Sequence, residues 1–210
     1  MTYAPSRRQR GVTLIELMVG LAIFGLLVAL AIPSYSAWIQ NTQIRTAAES
    51  IVNGLQLARN EALRRNRSVE LVLTADAPLP AAVDTIVPAA QGANWMVRVF
   101  ETSDNYTQDP DFVQAWAGST DAPNARLTTA ASGGQETFRF SPLGRATFYK
   151  AQVATASPLP RTELRIEVSS SAASCKPGAG DLRCLTVQLS PGGKVRLCDP
   201  VAVAPSPAVC

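Results

Sequence analysis

The chain has 210 residues, with 19 Lys and Arg against 16 Asp and Glu, a formal charge of +3, four cysteines and no histidine. Without His it lacks the commonest general base and metal ligand, and so small a net charge offers no global field to steer an anionic partner. Metal centres and His-based hydrolytic dyads lose most of their support at once.

Arg7, Arg8 and Arg10 precede an apolar stretch from Val12 to Ile32 in which Glu16 is the one charged residue. As a helix rising about 1.5 Å per residue this stretch is about 31 Å long, enough for the roughly 30 Å hydrocarbon core of a bilayer. The arginines before it predict a cytoplasmic N-terminus and a single pass, with everything after Pro33 outside. An ordinary secretory signal has a shorter apolar core, no carboxylate inside it and a small-residue cleavage site at its far end. A carboxylate inside a membrane helix costs roughly 2.5 to 3.5 kcal/mol on insertion scales, so Glu16 is expected to have a partner.

Gly11-Val12-Thr13-Leu14-Ile15-Glu16-Leu17 after a short basic leader resembles the class III signal of type IV pilins and pseudopilins. That resemblance implies cleavage after Gly11 by the prepilin peptidase/N-methyltransferase, N-methylation of Val12, and retention of the apolar helix in the mature subunit. Val12 stands where the family most often has Phe. Cleavage frees an ammonium at Val12, one helical turn from Glu16 and on roughly the same face. Either that ammonium or a neighbouring subunit's neutralises the carboxylate. The family implies the intersubunit pair, which sets axial register as the subunit leaves the inner membrane for a filament of other major and minor pilins. The alternative is a carboxyl that stays protonated in lipid. Loss of the leader arginines leaves 16 basic against 16 acidic residues, a neutral mature chain.

Pro33 lacks an N–H and clashes with the preceding turn, which predicts a kink followed by more helix. Ile44, Ala47, Ala48, Ile51, Leu55, Ala58 and Ala62 recur at spacings of three and four, the stripe of an amphipathic helix running to about Arg65. Gly54 inside it costs about 1 kcal/mol against Ala and suits close packing. Arg59, Arg64, Arg65 and Arg67 crowd the helix end, where cations meet the dipole favourably; a basic patch for DNA or an acidic partner is the functional alternative.

Ser68 to Thr74 alternates as a strand. Asp76 to Gly92, with Pro78, Pro80 and Pro88, reads as a long surface loop. Asn94 to Phe100 is the next strand, with Trp95, Val97 and Val99 on one face. From Glu101 to Gln135 turn formers dominate and only short strands fit. Thr137 to Phe140 and Ala146 to Tyr149 flank the turn Ser141-Pro142-Leu143-Gly144. Glu163 to Val168 alternates. A last hairpin joins Cys184–Leu189 to Lys194–Cys198 around Ser190-Pro191-Gly192-Gly193. The segments are a leader at 1–11, a span at 12–33, the amphipathic half of the helix at 34–67 and a β-rich exported domain at 68–210. The fold class is α+β, a long N-terminal helix packed on an antiparallel sheet.

Leu55 to Leu63 followed by Val69 to Leu73 resembles the helix-to-strand junction of the FimT, FimU and GspH branch of pilin-like proteins, and Trp95 resembles the tryptophan of its next strand. The resemblance is dense from Gly11 to about Leu73 and absent between Glu101 and Gln135. It implies a minor pilin that primes or caps a type IV pilus; a FimT-like DNA-binding pilin and a GspH-like pseudopilin of type II secretion are the alternatives.

Cys175, Cys184, Cys198 and Cys210 lie beyond the span, in an oxidising compartment if the topology holds, and two disulfides are expected. Pairing Cys175 with Cys184 and Cys198 with Cys210 closes short loops; pairing Cys184 with Cys198 and Cys175 with Cys210 remains open. Zinc is disfavoured by the absence of His and of any Cys-x-x-Cys. Gly193-Lys194-Val195-Arg196 resembles the Gly-Arg-x-Arg ending of FimT-like proteins, with Lys for the first Arg. That resemblance implies double-stranded DNA as a partner of Lys194 and Arg196, with Arg183 nearby, since strand geometry puts Lys194 and Arg196 on one face. The alternative is a hairpin edge charged against unwanted strand pairing. No Gly-x-Ser-x-Gly elbow, Walker loop or dinucleotide fingerprint is present, so no catalysis, cofactor or small-molecule substrate is expected.

Overall fold

The structure, a computed structural model, describes residues 12–100, 111–129, 134, 136–149, 163–176 and 180–210. The leader, Gly11 included, lies outside them, as does much of the turn-rich stretch from Glu101 to Gln135. The chain divides into two compact units, Met1–Trp38 and Ile39–Cys210. Helix α1 (Leu14–Arg65) begins in the first and ends in the second, and its helical assignment runs through Pro33 without a break.

In the first unit the apolar side chains are uncovered: Leu14, Phe24 and Leu30 are 78%, 64% and 70% exposed. The helix is long and apolar enough to cross a membrane.

In the second unit the stripe does what its spacing predicts. Ile44, Ala47, Ala48, Ile51, Leu55, Ala58 and Ala62 are all completely buried. Burying Ile44, Ile51 and Leu55 contributes about 1.5 to 3 kcal/mol each, while the intervening alanines let strands approach the helix axis.

The strands form two antiparallel sheets of five rather than the one sheet expected. The first contains β1 (Ser68–Thr74), β3 (Asn94–Phe100), β4 (Phe112–Ala117), β6 (Thr137–Phe140) and β7 (Ala146–Tyr149), in the order β4-β3-β1-β6-β7. The second contains β2 (Gln91–Gly92), β5 (Ala125–Thr128), β8 (Leu164–Ser170), β9 (Leu185–Leu189) and β10 (Val195–Cys198), in the order β10-β9-β8-β5-β2. A four-residue helix, α2 (Gly118–Asp121), turns the chain from β4 towards β5. The turn-rich stretch thus supplies an edge strand to one sheet and an inner strand to the other.

Helix α1 serves both sheets. On the first, the Trp95 ring packs on Gly54 and its Nε1 donates to Ser50 Oγ at 3.0 Å. Towards the second, Gln40 Oε1 accepts from Ser170 Oγ at 2.8 Å, Asn41 Oδ1 from the Arg183 amide at 2.8 Å and Gln43 Oε1 from the Asn124 amide at 3.2 Å. The last two bonds satisfy backbone amides that no ladder reaches.

The Pro-rich segment after β1 lies at the surface, as expected of a loop, and a few of its residues also cover the first sheet. Pro78, Ile86 and Pro88 are buried, and Ile86 packs with Val72 and Met96 on the face of the first sheet opposite Gly54. The Ala89 amide donates to Leu73 O at 2.8 Å and Thr74 Oγ1 to Val87 O at 2.8 Å. Both faces of β1 are therefore dry, and the one carboxylate there has to be paired. Glu70, 1% exposed, accepts from Arg98 Nε at 2.7 Å and from Arg139 Nη2 at 3.0 Å, its cross-strand neighbours on either side. Arg98 also donates to Val83 O in the cover, and the Arg139 guanidinium lies 3.4 Å from the Phe100 ring centre.

Candidate functional site

At the start of α1, Thr13 and Glu16 close on each other. The Thr13 amide and Thr13 Oγ1 donate to Glu16 Oε2 at 2.8 and 2.9 Å, while the Glu16 amide donates to Thr13 Oγ1 at 3.3 Å. This is a capping box: the Ncap hydroxyl and the N3 carboxylate satisfy amides that the first helical turn leaves without partners. A carboxylate there also meets the positive end of the helix dipole. The sequence predicts an ammonium freed at Val12, of the same or a neighbouring subunit, as the partner of Glu16; in the structure Thr13 takes the carboxylate. The sequence signal for this cap is Thr-x-x-Glu ahead of an apolar run.

The three basic residues singled out near the C-terminus are dispersed in role. Arg183 Nε pairs with Asp199 Oδ2 at 2.6 Å, and that carboxylate is buried. Arg196 Nη2 donates to the carbonyls of Pro207 and Val209, so its guanidinium is held by the C-terminal tail. Lys194, just before β10, is exposed and has no ion pair among the described residues. The structure joins Cys175 to Cys184 and Cys198 to Cys210; the second bond, with the Asp199 amide donating to Ala208 O at 2.7 Å, fastens that tail beside β10.

At the helix end Arg64 and Arg65 each reach Glu61 Oε2 at 2.7 Å. Hydrogen bonds from Arg64 and then Arg65 lower the Glu61 pKa, and the same contact with Glu61 raises that of Arg64. Arg59 is different: its Nε is buried without a hydrogen-bond partner among the described residues, beneath the turns at Gly144 and Gly193. Those two hairpin turns, one from each sheet, meet where the Ala146 amide donates to Pro191 O at 3.0 Å. Gly193 has φ +80°, and a Cβ there would fall 2.2 Å from Gly144 O, so no other residue fits that junction. Among the described residues no three His, Cys, Asp or Glu side chains gather as a metal site.

An uncovered apolar helix capped by Thr13 and Glu16, continuing into a helix packed on antiparallel sheets, defines a pilin-like protein. Residues 47–193 match the family described as type II transport protein GspH, and residues 6–32 match the prokaryotic N-terminal methylation motif. The chain belongs to the GspH family. A fimbrial protein of Pseudomonas aeruginosa is 41% identical over 63 residues, 30% of this chain and 40% of that protein. The type IV major fimbrial protein FimA of Dichelobacter nodosus is 47% identical over 49 residues, 23% of this chain and 30% of that protein. The chain thus spans less than half the length of the curated relatives it matches. The crystal structure of the Pseudomonas aeruginosa type IV minor pilin FimU aligns over 79% of this chain and 98% of that one, with 15% identity and a TM-score of 0.49.

Proposed function

We propose that this chain is a minor pilin of a type IV pilus, cleaved after Gly11, methylated at Val12 and held in the inner membrane by its apolar helix until other pilins take it into the filament. The observation that carries the proposal is an apolar helix left uncovered along Leu14–Leu30 and at Ile32, with its one carboxylate engaged at the N-terminal end. Such a surface needs a bilayer or the helices of other subunits around it. Relatives that are fimbrial proteins favour a pilus over a type II transport pseudopilus.

Thr13 holds Glu16 while the chain is unprocessed; cleavage then creates the Val12 ammonium, a stronger partner for a carboxylate than a hydroxyl and an amide. Handing Glu16 to the ammonium of a neighbouring subunit fixes the axial step between copies. Pro33 leaves one helical carbonyl without its donor, a place for the helix to bend as the subunit moves from lipid to filament. The test is recovery in sheared filaments: wild type should be present and Glu16→Leu absent, although both are processed and reach the membrane. Equal incorporation of Glu16→Leu would overturn the pairing role.

A further inference from the structure

Just past the apolar stretch, Tyr35 and Trp38 stack on one face of α1 with ring centres 5.9 Å apart, each 62% exposed. Neither ring is used by the filament chemistry above. Tyr35 lies about 4.5 Å and Trp38 about 9 Å along the axis beyond Ile32, while the polar layer on each side of a bilayer is about 5 to 7 Å deep. Helical side chains tilt towards the N-terminus, which carries both rings back towards the apolar stretch. Aromatic rings with a polar tip are stable at that depth, the apolar body in the acyl boundary and the O–H or N–H among headgroups.

We propose that the Tyr35–Trp38 stack is a lipid-interface anchor whose partner is the headgroup and carbonyl layer of the outer leaflet, resting on the membrane-span reading above. Its consequence concerns Glu16. The axial rise from Glu16 to Tyr35 is about 29 Å, close to the thickness of the hydrocarbon core. With the rings fixed at the outer boundary, the Thr13–Glu16 box sits at the inner boundary, where water and the peptidase reach it, and not within the hydrocarbon. The anchor sets the depth at which Val12 and Glu16 are presented.

The experiment uses the full chain in phosphatidylcholine vesicles whose acyl chains carry bromine either near the carbonyl or near the bilayer centre. Trp38 emission is taken as the difference between wild type and Trp38→Phe, which removes the contribution of Trp95 and Trp116. Shallow bromine should abolish most of the Trp38 component and deep bromine little of it, and Tyr35→Ala should weaken that contrast. A chain that floats with the vesicles yet shows a Trp38 component untouched by bromine, as when a second copy covers the ring, overturns the anchor and leaves the span intact. Strongest loss with deep bromine overturns it too. A chain that fails to float removes the span and the anchor together.

Discussion

Gly54 and Trp95 meet without room for a methyl group: a Cβ on Gly54 would lie 2.9 Å from both Cη2 and Cζ2 of the indole and 3.0 Å from Leu71 Cδ1. The ring cannot retreat freely, because Nε1 is tied to Ser50 one turn earlier on the same helix. Gly54→Ala gains about 1 kcal/mol of helix propensity but overpacks this contact at about 1 to 3 kcal/mol, so the net effect should be loss of stability. Urea unfolding followed by tryptophan emission checks it; a variant more stable than wild type would show that the ring moves aside.

The Glu70 carboxylate is shared by two guanidinium groups in a dry layer. Glu70→Ala should cost about 3 to 5 kcal/mol, since it removes the carboxylate that Arg98 and Arg139 share where little water can replace it. Combining it with Arg98→Met and Arg139→Leu should recover much of the loss, because an apolar layer needs no counter-charge. Equal midpoints for the single and triple variants in the same urea series would contradict this.

The acid limb of stability should carry a contribution from Glu61. Its folded pKa lies below the ordinary value because Arg64 and Arg65 hold the carboxylate. A lowered folded pKa means that the stabilisation is complete above about pH 4.3 and is lost as pH falls through the folded value. Glu61→Gln should therefore lower the melting temperature at neutral pH and make no difference at the acid end. A constant offset across the whole pH range would show that packing, not charge, is responsible.

Cys198→Ser with Cys210→Ser should cost about 2 to 4 kcal/mol through the freed unfolded chain. It should also release Arg196 from the carbonyls of Pro207 and Val209. An arginine-selective dicarbonyl reagent, read by peptide mass spectrometry, should then modify Arg196 faster than in wild type. An unchanged rate would mean that the tail stays in place without its covalent fastening.

Local chemistry made some of the molecule plain before any coordinates. The Ile44–Ala62 stripe needs only the helical period, the hairpin turns need only Ser-Pro-Leu-Gly and Ser-Pro-Gly-Gly, and Gly11–Leu17 carries its own signal in adjacent residues. Thr13 belongs with them, because Thr-x-x-Glu ahead of an apolar run is a capping signal confined to four residues.

Other features have no local signature. β1 pairs with β3 on one side and with the distant β6 on the other, and β2 leaves its neighbours in the chain to join the second sheet. Glu70 finds Arg98 and Arg139 only through that register, and the Pro-rich segment becomes a cover only because Val72 and Met96 present an apolar face beneath it. Periodicity and turn chemistry are properties of adjacent residues, so the sequence alone determined the helix, its cap and the hairpins. Which strands meet, and which charges are thereby paired or left to solvent, is a competition among long-range contacts for the same buried surface, and only the tertiary structure decides it.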